Sequence, residues 1–284
     1  MQVSALHIYP LKSGRGIALD RSAVDAFGLP GDRRAMLARP DGTAITQREV
    51  TRLARLVVKP QAEGLLLALD GHGGHLQVGR PDGRTRLEVD VWDTKIDAAV
   101  CDDAVNALLS EWFGEPVRLV FFDGQSRRTA SEAWAGEDTP VRFADGYQIL
   151  VTTTASLAAL NASMEAHGEG KVGMDRFRPN IVIDGAEAWA EDQWAALEIN
   201  GIRYDLVKPC SRCIMTTQDQ QTGSRDVPNP IPAMGRLRMS ADRRVPGPLF
   251  GWNAVPRGEG MIAIGDAVRV VAERPEGWAL KRRG

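Results

Sequence analysis

The sequence is poor in cysteine, with three in 284 residues, and in histidine, with four. Three cysteines cannot close an even disulfide framework, so the fold is expected to stand on its core. No apolar run approaches the roughly 20 residues that a membrane-spanning helix needs, so no membrane partner is expected. The N-terminus, MQVSALHIYPLKSGRG, lacks the basic stretch and following apolar run of a secretory leader. Net charge is only −2, from 35 basic and 37 acidic residues. That balance excludes bulk attraction to nucleic acid or to an anionic membrane surface. No Gly-x-Gly-x-x-Gly and no Walker loop is present, so a Rossmann or P-loop nucleotide site is not expected. Pyridoxal phosphate is not expected either.

What is present is a chain with 43% apolar residues, enough for a sizeable core in one large domain or two ordinary ones. Val3–Tyr9, Ala35–Ala38, Leu56–Val58, Leu65–Leu69 and Leu87–Val91 read as short strands separated by Gly-rich and Asp-Gly turns. This spacing predicts a β-barrel or sandwich rather than βαβ units. Val105, Leu108, Leu109 and Trp112 recur at helical spacing, predicting a helix over 102–113 capped by Asp102 or Asp103. A polar stretch at 123–140 is the expected boundary or long loop. Beyond it, Gln148–Val151 reads as a strand and Ala155–Met164 as a helix. Asn200-Gly201 marks a hairpin. Pro209 is expected to end the strand Ile202–Val207, and Ile214–Thr217 to be the next strand. Residues 224–248 read as an ordered loop or lid. The expected class is α+β, β-barrel-rich, with units at 1–123 and 141–272 and a polar, frayed tail at 273–284.

Two of the cysteines form Cys210-Ser211-Arg212-Cys213. A zinc site needs four ligands, and only Cys101 and four scattered histidines (His7, His72, His75, His167) remain to complete one. A redox dithiol belongs at a helix N-terminus, whereas these flanks are strand-like. Two inert loop cysteines are a third reading. The fourth is a single thiolate, Cys213 first, on a transition metal that prefers soft ligands. A reduced cytoplasm is the simplest setting for such a pair. Cys101 reads as a buried filler.

Around this motif lie basic and polar candidates. Lys12 and Ser13 occupy a turn after the first strand, whose ordinary reading in isolation is a solvated turn. Arg33 pairs on paper with Asp32. Arg178 precedes Pro179, which is expected to hold it extended and able to fork onto a phosphate. Asn180 could pair with a heterocycle edge. Thr152–Thr154 and Ser156 open a helix, where capping is the plain role and phosphate binding a compatible one. His72 and His75 resemble a metal clip but lack a carboxylate partner.

Read together, these pieces resemble a known family. Tyr9-Pro-Leu-Lys-Ser-Gly-Arg15, Gly31-Asp-Arg33, Val91-Trp92, Phe177-Arg-Pro-Asn-Ile-Val182, Ala190-Glu-Asp192, Cys210-Ser-Arg-Cys213 with Thr216-Thr217, and Pro248-Leu-Phe-Gly251 follow in order. Over roughly residues 1–272 the chain is similar to MOSC-domain proteins with an N-terminal β-barrel unit, of the type of the mitochondrial amidoxime-reducing component and its bacterial relatives. The resemblance implies a molybdenum cofactor of the molybdopterin type and reduction of N-hydroxylated compounds, or of related N-oxides and S-oxides. It implies Cys213 as the thiolate ligand of molybdenum and the catalytic residue. Lys12, Ser13 and Arg33 would hold the cofactor from the first unit, and Arg178, Asn180, Ser211 and Arg212 from the second. Thr153 or Ser156 would lie near its phosphate. Asn253, after Trp252, stands where the mitochondrial proteins carry a tyrosine that lines the site. No cysteine follows Cys213, so no 2Fe–2S cluster is expected. Electrons are expected from a separate ferredoxin, cytochrome b5-like protein or flavin reductase. The competing expectation is a non-catalytic carrier of sulfur or cofactor, with a persulfide on Cys210 or Cys213.

Overall fold

The central element is an eight-stranded sheet whose order departs far from sequence order. In the computed structural model, which describes residues 1–69 and 72–281, the strands run Val268–Glu273, Trp194–Ile199, Ile202–Ser211, Leu249–Arg257, Ile149–Thr153, Ile181–Asp184, Gln2–Ile8 and Ile17–Leu19. The first strand of the chain therefore lies beside strands from its second half, with Leu6 opposite Ile181. Ile149–Thr153 and Ile181–Asp184 are parallel. A parallel pair needs a long crossover, and helix Thr154–Ala166 supplies it. The sheet buries Val3, Leu6, Val151, Leu197, Tyr204 and Trp252 on one face.

Residues 35–121 build two smaller sheets, and Arg21–Val24 pairs with Gly260–Ala263 in a third. Ala35–Ala38, Arg118–Phe121, Thr94–Val100 and Arg86–Val91 form one; Leu56–Gln61, Gly64–Leu69 and Leu76–Gly79 form another. Every pairing within them is antiparallel. Helix Asp103–Phe113 places Leu109 and Phe113 in this second core. Gly114 ends it in the left-handed region at φ 66°, which glycine enters without a Cβ penalty. The molecule is strand-rich, with curled sheets and few helices, as the α+β, barrel-rich reading predicts.

Four local expectations fail. The strand from Ile202 does not stop at Pro209 but runs to Ser211. Its outer neighbour Trp194–Ile199 reaches only Ile202–Asp205 of it, so Pro209 stands where one strand edge has no partner, and its missing N–H costs no ladder bond. Ile214–Thr217 is a 3-10 turn, not a strand. The Thr216 hydroxyl donates to Cys213 O at 3.0 Å and the Thr217 hydroxyl to Ile214 O at 2.9 Å; such local bonds compete with a ladder. The segment 224–248 contains helix Ile231–Leu237, which packs Ala233 and Met234 against Phe177 and Phe250. The tail is not frayed through residue 281. Trp278 meets Trp252 edge-on at 5.7 Å, and Lys281 N donates to Met239 O at 2.8 Å.

Candidate functional site

Lys12 and Ser13 follow the first strand of the large sheet. Arg178 and Asn180 precede the strand beside it, and Cys210–Cys213 end another. The sheet register brings these three distant loops together: Pro209 pairs with Trp252, Trp252 with Val151, and Val151 with Ile181. Between them lies a cleft enclosing about 850 Å3, open solvent included, lined by Lys12, Ser13, Arg33, Arg178, Cys213 and Asn253 among others. Asn180, Ser211 and Arg212 also line it.

The floor is built around Tyr9. Its buried ring is stacked by the guanidiniums of Arg33 and Arg178, at 4.2 and 4.1 Å from the centroid. Its hydroxyl donates to Pro179 O at 3.1 Å, and burial pushes its pKa up to about 12. Arg33 is further held by both carboxylate oxygens of Asp32, and Asp32 accepts from Tyr9 N at 2.7 Å. Arg178 donates to Gly14 O at 2.9 Å and to Gln220 Oε1 at 3.0 Å. Burial lowers its pKa to about 10, which leaves it cationic at neutral pH. Ser13, Arg33 and Arg178 all have positive φ, at 63°, 43° and 56°. Non-glycine residues in that region store strain that clusters at functional sites. The expectation that Pro179 holds Arg178 extended is therefore corrected. Arg178 closes the 3-10 turn Met174–Phe177, and its N–H bonds to Asp175 O.

On one wall, Lys12 Nζ donates to Asp145 Oδ1 at 2.5 Å and to Phe143 O at 2.9 Å. Burial lowers the pKa of Lys12 against the pull of Asp145. Burial also works to raise that of Asp145, but Lys12, Arg48 and Arg33 override it and hold the carboxyl below the usual range. The Asp145 side chain is 63% exposed, so the cations and not desolvation set its charge. Opposite, Arg212 donates to Cys210 Sγ at 2.9 Å and to Phe177 O at 2.7 Å. Cys213 is exposed, and Arg48 Nη2 lies 3.6 Å from its sulfur.

Not every expected residue faces the cleft with a free group. Asn180 uses its side chain within the fold: Oδ1 accepts from Leu150 N and Arg33, and Nδ2 donates to His7 O. The Ser211 hydroxyl ties down Pro246 O. Thr153 and Ser156 do not line the cleft. Both are fully buried, and their hydroxyls meet Glu191 Oε2 at 3.3 and 2.9 Å. The helix start is thus capped by Thr153, whose hydroxyl oxygen accepts from Ser156 N at 3.1 Å, and both hydroxyls are turned to Glu191 rather than to the cleft. Sequence reasoning missed Arg48 and Asp145, and it used Trp92 only as part of the resemblance, with no role at the cleft.

Five cations (Lys12, Arg33, Arg48, Arg178, Arg212) and one carboxylate surround the cleft, and that carboxylate is paired with Lys12. Such a donor set fits a polyanionic group, and the exposed thiol adds a soft metal ligand. Among the described residues no three His, Cys, Asp or Glu side chains form a metal-holding cluster.

Fold and site together define a class: a strand-rich protein with an arginine-lined cleft that presents one exposed cysteine. The MOSC N-terminal beta barrel domain matches residues 1–116 and the MOSC domain residues 138–269. Mitochondrial amidoxime-reducing component 1 of Homo sapiens is 30% identical over 95% of this chain and 83% of its own length. Mitochondrial amidoxime reducing component 2 of Bos taurus is 29% identical over 94% and 82%. Molybdenum cofactor sulfurase of Homo sapiens is 27% identical over 79% of this chain but 27% of its own length. The chain belongs to the family of MOSC-domain proteins that includes the mitochondrial amidoxime-reducing components. Among the described residues no helix is long and apolar enough to cross a membrane.

Proposed function

We propose that this protein is a molybdenum-cofactor-dependent reductase of N-hydroxylated compounds, supplied with electrons by a separate redox protein. The observation that carries the reading is the convergence of Lys12, Arg33, Arg178 and Arg212 on one cleft beside the exposed Cys213. The names of its relatives support the same chemistry. When bound, the cofactor supplies two-electron redox chemistry and an acceptor for oxygen. The net change at substrate is N–OH plus two electrons and two protons giving N–H and water.

The chain's own residues bind and orient. Lys12, Arg33, Arg178 and Arg212 neutralise a polyanion, and Tyr9 holds two of those guanidiniums against its ring. Cys213 presents its sulfur from a turn fixed by Thr216. Asn180 and Ser211 act by holding the loops rather than by touching the group. Thr153 and Ser156 are not part of this proposal.

Elemental and pterin analysis of protein from a host able to make the cofactor tests the reading. Near-stoichiometric molybdenum with pterin is expected, and Cys213→Ala should lose turnover of an aryl amidoxime while keeping the fold. Full activity in that variant would overturn it. The sulfurase relative and the two accessible cysteines favour one second reading, a carrier of sulfur or cofactor. Persulfide on Cys210 or Cys213, with no reductase activity in molybdenum-loaded protein, would support that instead.

A further inference from the structure

The cleft has a graded depth. Lys12, Ser13, Arg178 and Asn180 are at most 8% exposed and form its floor. Cys213 stands at the rim, with Trp92 at 59% and Ile214 at 48% exposure. A polyanion drawn to the buried cations sits deep, so a substrate must approach across the rim.

The rim has its own cation. Arg48 lies 4.7 Å from the centroid of the Trp92 ring and 3.6 Å from Cys213 Sγ. It forms no ion pair among the described residues. Arg225 Nη2 donates to Arg48 O at 2.9 Å and adds charge of the same sign. The nearby carboxylate of Asp145 is already bound by Lys12.

Trp92 is costly for the fold. It occupies a two-residue turn between Val91 and Thr94 with φ 55°, a region disfavoured for a large side chain. Its ring stays largely in solvent, so burial does not offset that cost. Its Nε1 donates to Asp145 Oδ1 at 3.3 Å, which fixes the ring plane. A flat aromatic surface carrying a guanidinium with no directly bonded carboxylate, beside an apolar edge, selects a flat ligand and penalises a positive one.

We propose that Arg48, held on the Trp92 ring beside Cys213, selects substrates by charge, favouring flat uncharged N-hydroxylated molecules over cationic ones. This deepens the reductase reading and rests on it. Arg48 is a specificity residue: it acts on what approaches Cys213 and supplies neither electrons nor a metal ligand.

Two measurements test it. In molybdenum-loaded protein with reduced viologen as donor, kcat/KM is compared for a neutral aryl amidoxime and a protonated aryl N-hydroxyguanidine. Arg48→Gln should shift the ratio toward the cation by about three- to tenfold, and Arg48→Lys should leave it near the wild-type value. In the full chain from a host lacking the cofactor, with Cys210→Ser to isolate Cys213, an anionic methanethiosulfonate should react faster than a cationic one. Arg48→Gln should reduce that preference by a similar factor. If wild-type protein turns over neither substrate, the reductase reading fails and this inference with it. Turnover of both with an unchanged ratio in Arg48→Gln overturns the inference alone, as does an unchanged preference of the thiol reagents.

Discussion

Lys12 and Asp145 are joined by a 2.5 Å ion pair across 133 residues of sequence. The ammonium is 8% exposed and the carboxylate 63%. The pair ties the loop after the first strand to the turn that precedes strand Ile149–Thr153. It also fixes the Trp92 ring, which donates to the same carboxylate oxygen.

Asp145→Asn removes the counter-charge from a buried ammonium that keeps Phe143 O as an acceptor. A loss of about 1 kcal/mol at neutral pH is expected, small because the carboxylate is exposed. The pH dependence has a definite sign. Lys12 has a lowered pKa in the folded state, so the unfolded chain binds more protons between that value and 10.5, and stability rises with pH there. Without Asp145 the lowering deepens. The deficit of the variant should therefore shrink as pH approaches 10.5, measured by urea denaturation at several pH values.

Tyr9 holds two arginines through its faces and Pro179 through its hydroxyl. Tyr9→Phe keeps the stacking and loses one hydrogen bond, about 1 kcal/mol. Tyr9→Ala leaves a cavity between two guanidiniums and should cost about 3–5 kcal/mol. Under the proposed function it should also retain less molybdenum per protein than Tyr9→Phe. Equal metal content in the two variants would contradict the clamp.

Arg238 and Asp192 form a buried pair; Arg238 donates to Asp192 Oδ1 at 2.6 Å, and Trp252 Nε1 donates to the same oxygen at 3.1 Å. Arg238→Met strands a carboxylate in the core and should destabilise by about 3–5 kcal/mol. The double variant Arg238→Met with Asp192→Asn should recover part of that loss. Equilibrium unfolding of the two variants measures it.

Cys101 is buried, and burial raises its pKa to about 12. Native protein without cofactor should show two thiols reactive toward a disulfide reagent and a third only after unfolding. Above pH 9 the unfolded chain ionises this thiol while the folded one does not. Stability should therefore fall as pH rises from 9 toward 12, and less so in Cys101→Ala.

Where structure depended on neighbours in sequence, the sequence was readable. Ala35–Ala38 is a strand with the predicted bounds, and the Asn200-Gly201 hairpin forms with both residues at positive φ. Ile214–Thr217 misled because β-branched residues signal a strand, whereas their hydroxyls satisfied the backbone locally instead. Thr153 and Ser156 misled for a different reason. Thr153 caps its own helix, and Glu191, 35 residues beyond Ser156, meets both hydroxyls in the core.

By itself the sequence determined the periodicity, the turns and the residue types able to bind a polyanion. Those follow from backbone sterics and side-chain chemistry acting over a few residues. Only the tertiary structure decided which of those groups meet. Arg48 reaches Cys213 across 165 residues, and no local spacing encodes that contact. Tertiary packing sets it: Gln218 Nε2 donates to Thr51 O at 3.0 Å and Arg225 Nη2 to Arg48 O at 2.9 Å, which joins the segment after Cys213 to the loop that carries Arg48. The same packing gives Asn180 and Ser211 partners within the fold, Leu150 N and His7 O for the first and Pro246 O for the second.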